Sequence, residues 1–210
     1  MFGIENYLVF IVSGIILNIT PGNDTIYILS RSIAQGKKAG VISVLGISTG
    51  ALTHTIMASL GLSVILNKSI LLFDVIKYIG VLYLVYIGMK TIISKNNPFT
   101  NQTNIESTID YKQIYKQGFL TNLFNPKVAL FFLSFLPQFI NPNVNNTPIP
   151  FLILGVTFLT TGTIWCLFLA YASSFLSKIL RENNKISTIT HKLSGMIFIG
   201  LGLKLAFEKR

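Results

Sequence analysis

Residues 20–24 read Thr20-Pro21-Gly22-Asn23-Asp24, a polar knot inside an apolar run that extends over 7–30. Proline lacks the N–H donor that a helix needs and clashes with the preceding turn, so a helix through this run breaks at Pro21. A break in water becomes a loop. In hydrocarbon the freed backbone groups are tolerated only where protein or a water-filled cavity satisfies them. The reading of this stretch therefore depends on which solvent the chain is built for.

Composition answers that question. The 210 residues are 51% hydrophobic and 11% charged, with a mean hydropathy of +0.62. A soluble domain carries about 25% charged residues, so less than half the usual charge points to lipid as the solvent. The net charge of +10 invites comparison with nucleic-acid binders. The basic residues, however, sit in short clusters between long apolar runs, as in membrane-protein loops, and not along one face interleaved with aromatics. Cys166 is the single cysteine, which excludes an intrachain disulfide, a CxxC redox pair and a thiolate metal cluster. No Lys or Arg precedes the first apolar run, which passes directly into more apolar sequence, unlike a cleavable signal peptide.

Six apolar stretches follow one another at 7–30, 41–66, 70–93, 118–140, 151–176 and 189–207, each long enough to cross about 30 Å of hydrocarbon as a helix. The fourth also contains a proline, in Asn125-Pro126-Lys127. Lys and Arg set the orientation. Connections one, three and five carry Arg31, Lys37 and Lys38, then Lys90, Lys95, Lys112 and Lys116, then Lys178, Arg181, Lys185 and Lys192. The second holds only Lys68, with Lys77 at the membrane edge, and the fourth none. Both termini are thereby expected outside the cytoplasm, against which Lys204, Lys209 and Arg210 dissent.

The two halves resemble each other. Thr49-Gly50 matches Thr161-Gly162, and Gly88-Met89-Lys90 matches Gly202-Leu203-Lys204. Three spans per unit is an odd number, so the second copy enters the membrane inverted, an arrangement that recurs in secondary transporters. The expectation is an all-α membrane protein of six transmembrane helices in two inverted three-helix repeats, the first helix of each repeat broken at a proline. The whole chain, 1–210, forms one transmembrane domain: repeat one about 1–93, a cytoplasmic linker about 94–117, and repeat two about 118–210. About ten residues separate Pro21 from Arg31, and Lys116 from Pro126, which at ~1.5 Å per residue puts both breaks about 15 Å from the cytoplasmic face. Half of a ~30 Å core is the midplane.

Polar residues gather at these breaks: Thr20, Pro21, Gly22, Asn23 and Asp24 at the first, and Asn122, Asn125, Pro126 and Lys127 at the second. An acid near the membrane centre costs at least about 2.5 kcal/mol on insertion scales, so Asp24 belongs in a cavity or beside a partner. Two readings stand side by side. Asp24 holds a substrate ammonium or a coupling proton, or it is the N-cap of a half-helix starting near Thr25. Lys127 pairs with Asp24 or meets a substrate carboxylate, and its structural alternative is a plain ion pair. The N–H groups around Gly22 and Asn23 form the positive end of a half-helix, suited to a carboxylate; together these parts suit a zwitterion. His54 is a proton relay or a helix residue bonded to its neighbour. Gly46 and Gly50 form a GxxxG pair that permits close packing. Metalloprotease, nucleotide-binding and hydrolase motifs are absent from the sequence.

The chain resembles the LysE/RhtB family of amino-acid exporters, which includes the homoserine and threonine exporters. The resemblance spans nearly the whole length. It rests on Thr20 to Asp24, Ser30-Arg31-Ser32, Gln35 to Gly40, Gly46 and Gly50, and Tyr83-Leu84 with Tyr86-Ile87-Gly88, then on Gly118 through Phe132 and Leu136-Pro137-Gln138-Phe139. Asn23 stands where members of the family often carry a second proline. The resemblance implies export across the plasma (inner) membrane, driven by the proton gradient, with no ATP or other cofactor and no nucleic acid. Partners are then an amino-acid-like small molecule, protons and the lipid bilayer. A homodimer is compatible with the sequence, which nowhere demands one. Two alternatives belong to other classes. An intramembrane enzyme would use the midplane acid and lysine, but lacks a nucleophile–base set; a membrane scaffold subunit would not need polar groups at mid-depth.

Overall fold

Both prolines end a helix of the same length. Helix α1, Tyr7–Ile19, stops before Thr20-Pro21, and α2, Asn23–Met57, restarts behind an extended Gly22. Helix α4, Tyr111–Leu123, stops before Asn125-Pro126, and α5, Pro126–Leu130, continues through a π-helical turn, Phe131–Phe135, and a 3-10 turn, Leu136–Phe139. Each leading helix is 13 residues long, or ~20 Å at 1.5 Å per residue. Across the second break the axis bends by 44°. The remaining helices are α3, Ile70–Ile93, and α6, Ile149–Glu182. The computed structural model describes residues 2–62, 70–93, 109–141 and 147–182, with single positions between 189 and 207. Nine of the 19 residues of the expected sixth span lie outside the described residues. So do Lys68, Lys95, Lys185, Lys204, Lys209 and Arg210, on which part of the orientation argument rests.

Two expected boundaries move. The first connection is not a loop: two helical arms meet at Gly36, where φ is 86° and ψ 172° and the chain reverses. Glycine takes this positive φ without a Cβ clash. The reversal shows in the packing, because a Cβ placed on Gly40 would run into the Ser32 hydroxyl, whereas eight residues of straight helix would hold the two ~12 Å apart. The fourth span starts at Tyr111 rather than at 118. Asp110 caps it by accepting from the Lys112 and Gln113 amides at 2.9 and 3.2 Å, so a polar first turn is helical where hydropathy alone reads as connection.

The two broken units run antiparallel. At one end Glu5 N donates to Phe139 O and Asn141 N to Gly3 O, both at 2.8 Å. At the other, Arg31 donates to Gln35 at 2.9 Å and to Gln117, and Lys38 sits 4.7 Å over the Tyr111 ring. Between these ends α4 lies against the second arm of α2. The approach is backbone to backbone: a Cβ on Gly118 would stand 2.8 Å from Ser43 O, and one on Gly46 would strike Tyr115 O. The GxxxG pair is therefore a packing device. Overfilling such a seat costs about 1–3 kcal/mol. Gly46→Leu is expected to lower the melting temperature in detergent, while Gly61→Leu, whose Cβ meets nothing within 4 Å among the described residues, leaves it unchanged; a thermal-shift assay compares them.

Outward faces are apolar. Leu8, Val12, Ile15 and Ile19 of α1, and Leu152, Val156, Ile164, Phe168 and Tyr171 of α6, are exposed at helical spacing, as lipid contact requires. Among the described residues two helices, Asn23–Gly61 and Ile149–Ser173, are long and apolar enough to cross a membrane, or three if the bent pair counts as one span. Inside, two apolar clusters form. The larger holds Phe10, Phe131, Phe132, Phe135, Phe139, Phe151 and Phe158 with Leu17, Val128 and Leu136, and lies toward the N-terminus. The smaller holds Ile28, Leu29, Val44, Ile47, Leu169 and Ala170, toward Arg31.

Candidate functional site

A cavity of about 40 Å³ lies between the clusters, with Val128 and Phe158 of the larger and Ile47 of the smaller in its wall. Its polar lining comes from Asn18, Asp24, Thr25, Ser48, Asn122, Lys127 and Thr163, and Cys166 also borders it. Asp24 and Lys127, 103 positions apart in the numbering, thus share one enclosure. That volume admits on the order of three waters at ~10–15 Å³ each, far below the ~300–1,000 Å³ of ligand pockets. In this conformation the cavity is too small for a solute of amino-acid size.

The prolines dictate the chemistry around the cavity. In a continuous helix the N–H of Pro21 would bond Leu17 O, four residues back. Lys127 replaces it: Nζ donates to Leu17 O at 3.1 Å and to Thr20 O at 3.0 Å. Its ammonium thus sits at the negative end of α1, where cations are favoured, and Lys127 is 9% exposed. Gly22 lies against it: a Cβ there would stand in van der Waals contact with Nζ, at 3.4 Å. Pro126 orphans the carbonyl of Asn122 by the same rule. That oxygen accepts from Asn125 N at 2.9 Å, and His54 Nε2 lies 3.4 Å away. Asn125 caps α5 by accepting from Lys127 N at 3.1 Å.

Asp24 stands in the first turn of α2, where the helix dipole favours an anion. The N-cap is Gly22, without a side-chain capping bond, so the expectation that Asp24 itself caps this half-helix is corrected. One carboxylate oxygen, Oδ2, accepts from Asn122 Nδ2 at 2.8 Å. The other, Oδ1, is buried and has no partner, as is Asn122 Oδ1. Lys127 does not bond Asp24; its hydrogen bonds go to the α1 carbonyls.

The expected site residues therefore divide. Asp24, Asn122 and Lys127 meet at the cavity. Thr20 is buried beside it, with Oγ1 donating to Ile16 O at 2.7 Å. Pro21, Gly22, Asn125 and Pro126 shape the breaks without lining the space. Asn23 is exposed. His54, 7% exposed, stacks on Phe132 at 5.6 Å and reaches the cavity only through Asn122. Sequence reading missed Asn18, whose Nδ2 donates to Thr161 Oγ1 at 3.2 Å, and the Ser48–Thr163 hydroxyl pair at 2.8 Å. A lone asparagine in an apolar helix was the available signal for Asn18. Cys166 is the chain's sole thiol, so labelling reports on this cavity alone. A small methanethiosulfonate reagent is expected to react with Cys166 far more slowly in the folded protein than in the SDS-unfolded one, as mass spectrometry would read.

Over 207 residues the chain is 34% identical to the "uncharacterized membrane protein YrhP" of Bacillus subtilis, covering 95% of this chain and 98% of that one. It is 28% identical to a leucine efflux protein of Salmonella choleraesuis (98% and 96% covered) and 29% identical to one of an Enterobacter species (98% and 97%). No solved structure matches. The family model described as LysE type translocator matches residues 15–209, nearly the whole chain, and so the protein belongs to the LysE type translocator family and is a membrane transporter rather than an enzyme.

Proposed function

We propose that this protein exports amino acids or close derivatives across the plasma membrane by alternating access, in exchange for protons. The observation that carries the reading is the single enclosure between two apolar clusters into which both broken helices deliver a charged residue, Asp24 from one and Lys127 from the other. Isolated charges at mid-depth are costly and mark pathways. A carrier requires a site sealed on both sides with a wall on either side that opens. The likeness to leucine efflux proteins and the apolar wall of Ile47, Ala51, Val128, Phe158 and Leu159 favour a neutral, aliphatic amino acid.

In this reading six spans form two inverted three-helix repeats, about 1–93 and 118–210, joined by a cytoplasmic linker at about 94–117. The antiparallel broken units support it. Both termini lie outside the cytoplasm, so the Phe-rich cluster faces outward and the smaller cluster faces the cytoplasm. Asp24 takes the coupling proton. A proton-driven exporter is expected to move labelled amino acids from a panel across reconstituted liposomes and to accumulate them against their gradient when a pH gradient is imposed. Folded protein that passes no amino acid of the panel would sink the proposal. Flux that ignores the pH gradient would remove the proton coupling alone.

A further inference from the structure

We infer that the cavity recognises its solute by the ammonium group, through Asp24 Oδ1 and Asn122 Oδ1, and does not require the carboxylate. The inference rests on the transport reading and narrows it. The buried polar atoms of the cavity lining that lack a partner are Asp24 Oδ1 and Asn122 Oδ1, and both are acceptors. Asn122 is 3% exposed, and its amide is held in one sense because Nδ2 donates to Asp24 Oδ2. Its oxygen then lies on the side toward Gly50, whose missing Cβ leaves it room, since one there would come within 2.8 Å of Oδ1. A buried acceptor without a donor is unfavourable, and the group that satisfies two of them beside a carboxylate is a cation with several N–H bonds.

The cationic side of the cavity is in the opposite condition. Two of the three hydrogens of the Lys127 ammonium serve Leu17 O and Thr20 O, which Pro21 has left without their helical donors. The α1 dipole compensates part of its charge as well. A solute carboxylate meets one remaining hydrogen of an ammonium whose charge two backbone carbonyls and the α1 dipole already partly satisfy, while a solute ammonium meets two oxygens that no protein donor serves. The zwitterion expected from the sequence is thus accepted, but only one of its ends is read.

Primary amines that share the aliphatic body are therefore ligands. The test uses the unmodified protein in proteoliposomes, with labelled leucine in counterflow and two competitors: leucinamide, which keeps the ammonium, and 4-methylpentanoate, which keeps the carboxylate. Leucinamide is expected to compete within about tenfold of leucine, and 4-methylpentanoate more than tenfold more weakly, the tenfold being what one charge-assisted hydrogen bond supplies. Leucinamide weaker than leucine by more than tenfold, or 4-methylpentanoate competing within tenfold of it, overturns the inference and makes Lys127 the reader of the carboxylate. If another amino acid of the panel is carried and leucine is not, its own amide and deaminated acid replace these two. Absence of flux for every amino acid overturns the transport reading instead, so the two failures are distinct.

Discussion

Replacing Lys127 with methionine is expected to damage stability and transport together. Methionine fills similar volume but donates nothing, so Leu17 O and Thr20 O lose the donor that stands in for the helix. Stranding a buried acceptor costs about 1–3 kcal/mol in soluble proteins, and interhelical hydrogen bonds in membranes average about 0.6 kcal/mol. Two such bonds therefore bracket a loss of about 1–6 kcal/mol. The variant should melt several degrees lower in detergent, at ~2–4 °C per kcal/mol for a chain of this size. Asp24 also loses the nearby positive charge. With the ends of α1 and α5 no longer held together, flux should fall by about tenfold or more, since misplacement by ~1 Å costs up to about 100-fold. A Lys127→Met protein that melts like the parent would show that the break is satisfied some other way.

Asp24→Asn is expected to separate the two effects. Asparagine keeps the shape and an oxygen that accepts from Asn122, while a charge leaves the low-dielectric interior, where it costs at least about 2.5 kcal/mol on insertion scales. Melting temperature should hold or rise. Function should not survive. Losing a hydrogen bond to a charged group, about 1.5–3 kcal/mol, weakens solute binding by roughly 10- to 150-fold, and accumulation driven by a pH gradient should disappear. Counterflow and gradient-driven uptake, measured on the same preparation beside its melting curve, test both statements. A variant that still accumulates solute against its gradient would remove Asp24 from the proton path.

The positions of the breaks were legible because proline has one consequence in a helix, wherever the helix lies. Their partners were not. Lys127 reaches Leu17 O over a sequence separation of 110, which no spacing rule encodes, and its neighbour Asp24 drew attention as the obvious counter-charge. The start of α4 at Tyr111 is signalled by Asp110, a capping residue, in a polar turn that hydropathy alone reads as connection. The reversal at Gly36 compresses an expected connection to one residue because glycine alone needs no further chain to turn. Ser48 and Thr163 were indistinguishable from Thr49, Thr53, Thr55 and Thr157, which bond their own helix backbones. Small hydroxyls in apolar helices do this routinely, so their pairing across α2 and α6 belongs to tertiary structure alone.

The two apolar clusters are unequal, and the inequality gives the carrier the character of a valve. On the proposed outer side, aromatic rings interlock: Phe131 stacks on Phe158 at 4.3 Å, Phe132 meets Phe158 edge-on at 5.6 Å, and Phe10 meets Phe139 edge-on at 5.2 Å. Toward the proposed cytoplasm the buried core is six smaller residues without rings, and Tyr27 and Trp165 pack against it only partly buried. Aromatic pairs add about 0.5–1.5 kcal/mol each beyond the area they bury, so under the proposed alternating access the outer closure is the costlier one to part. An idle carrier would then sample the cell interior more than the outside, a one-way habit that needs no regulator.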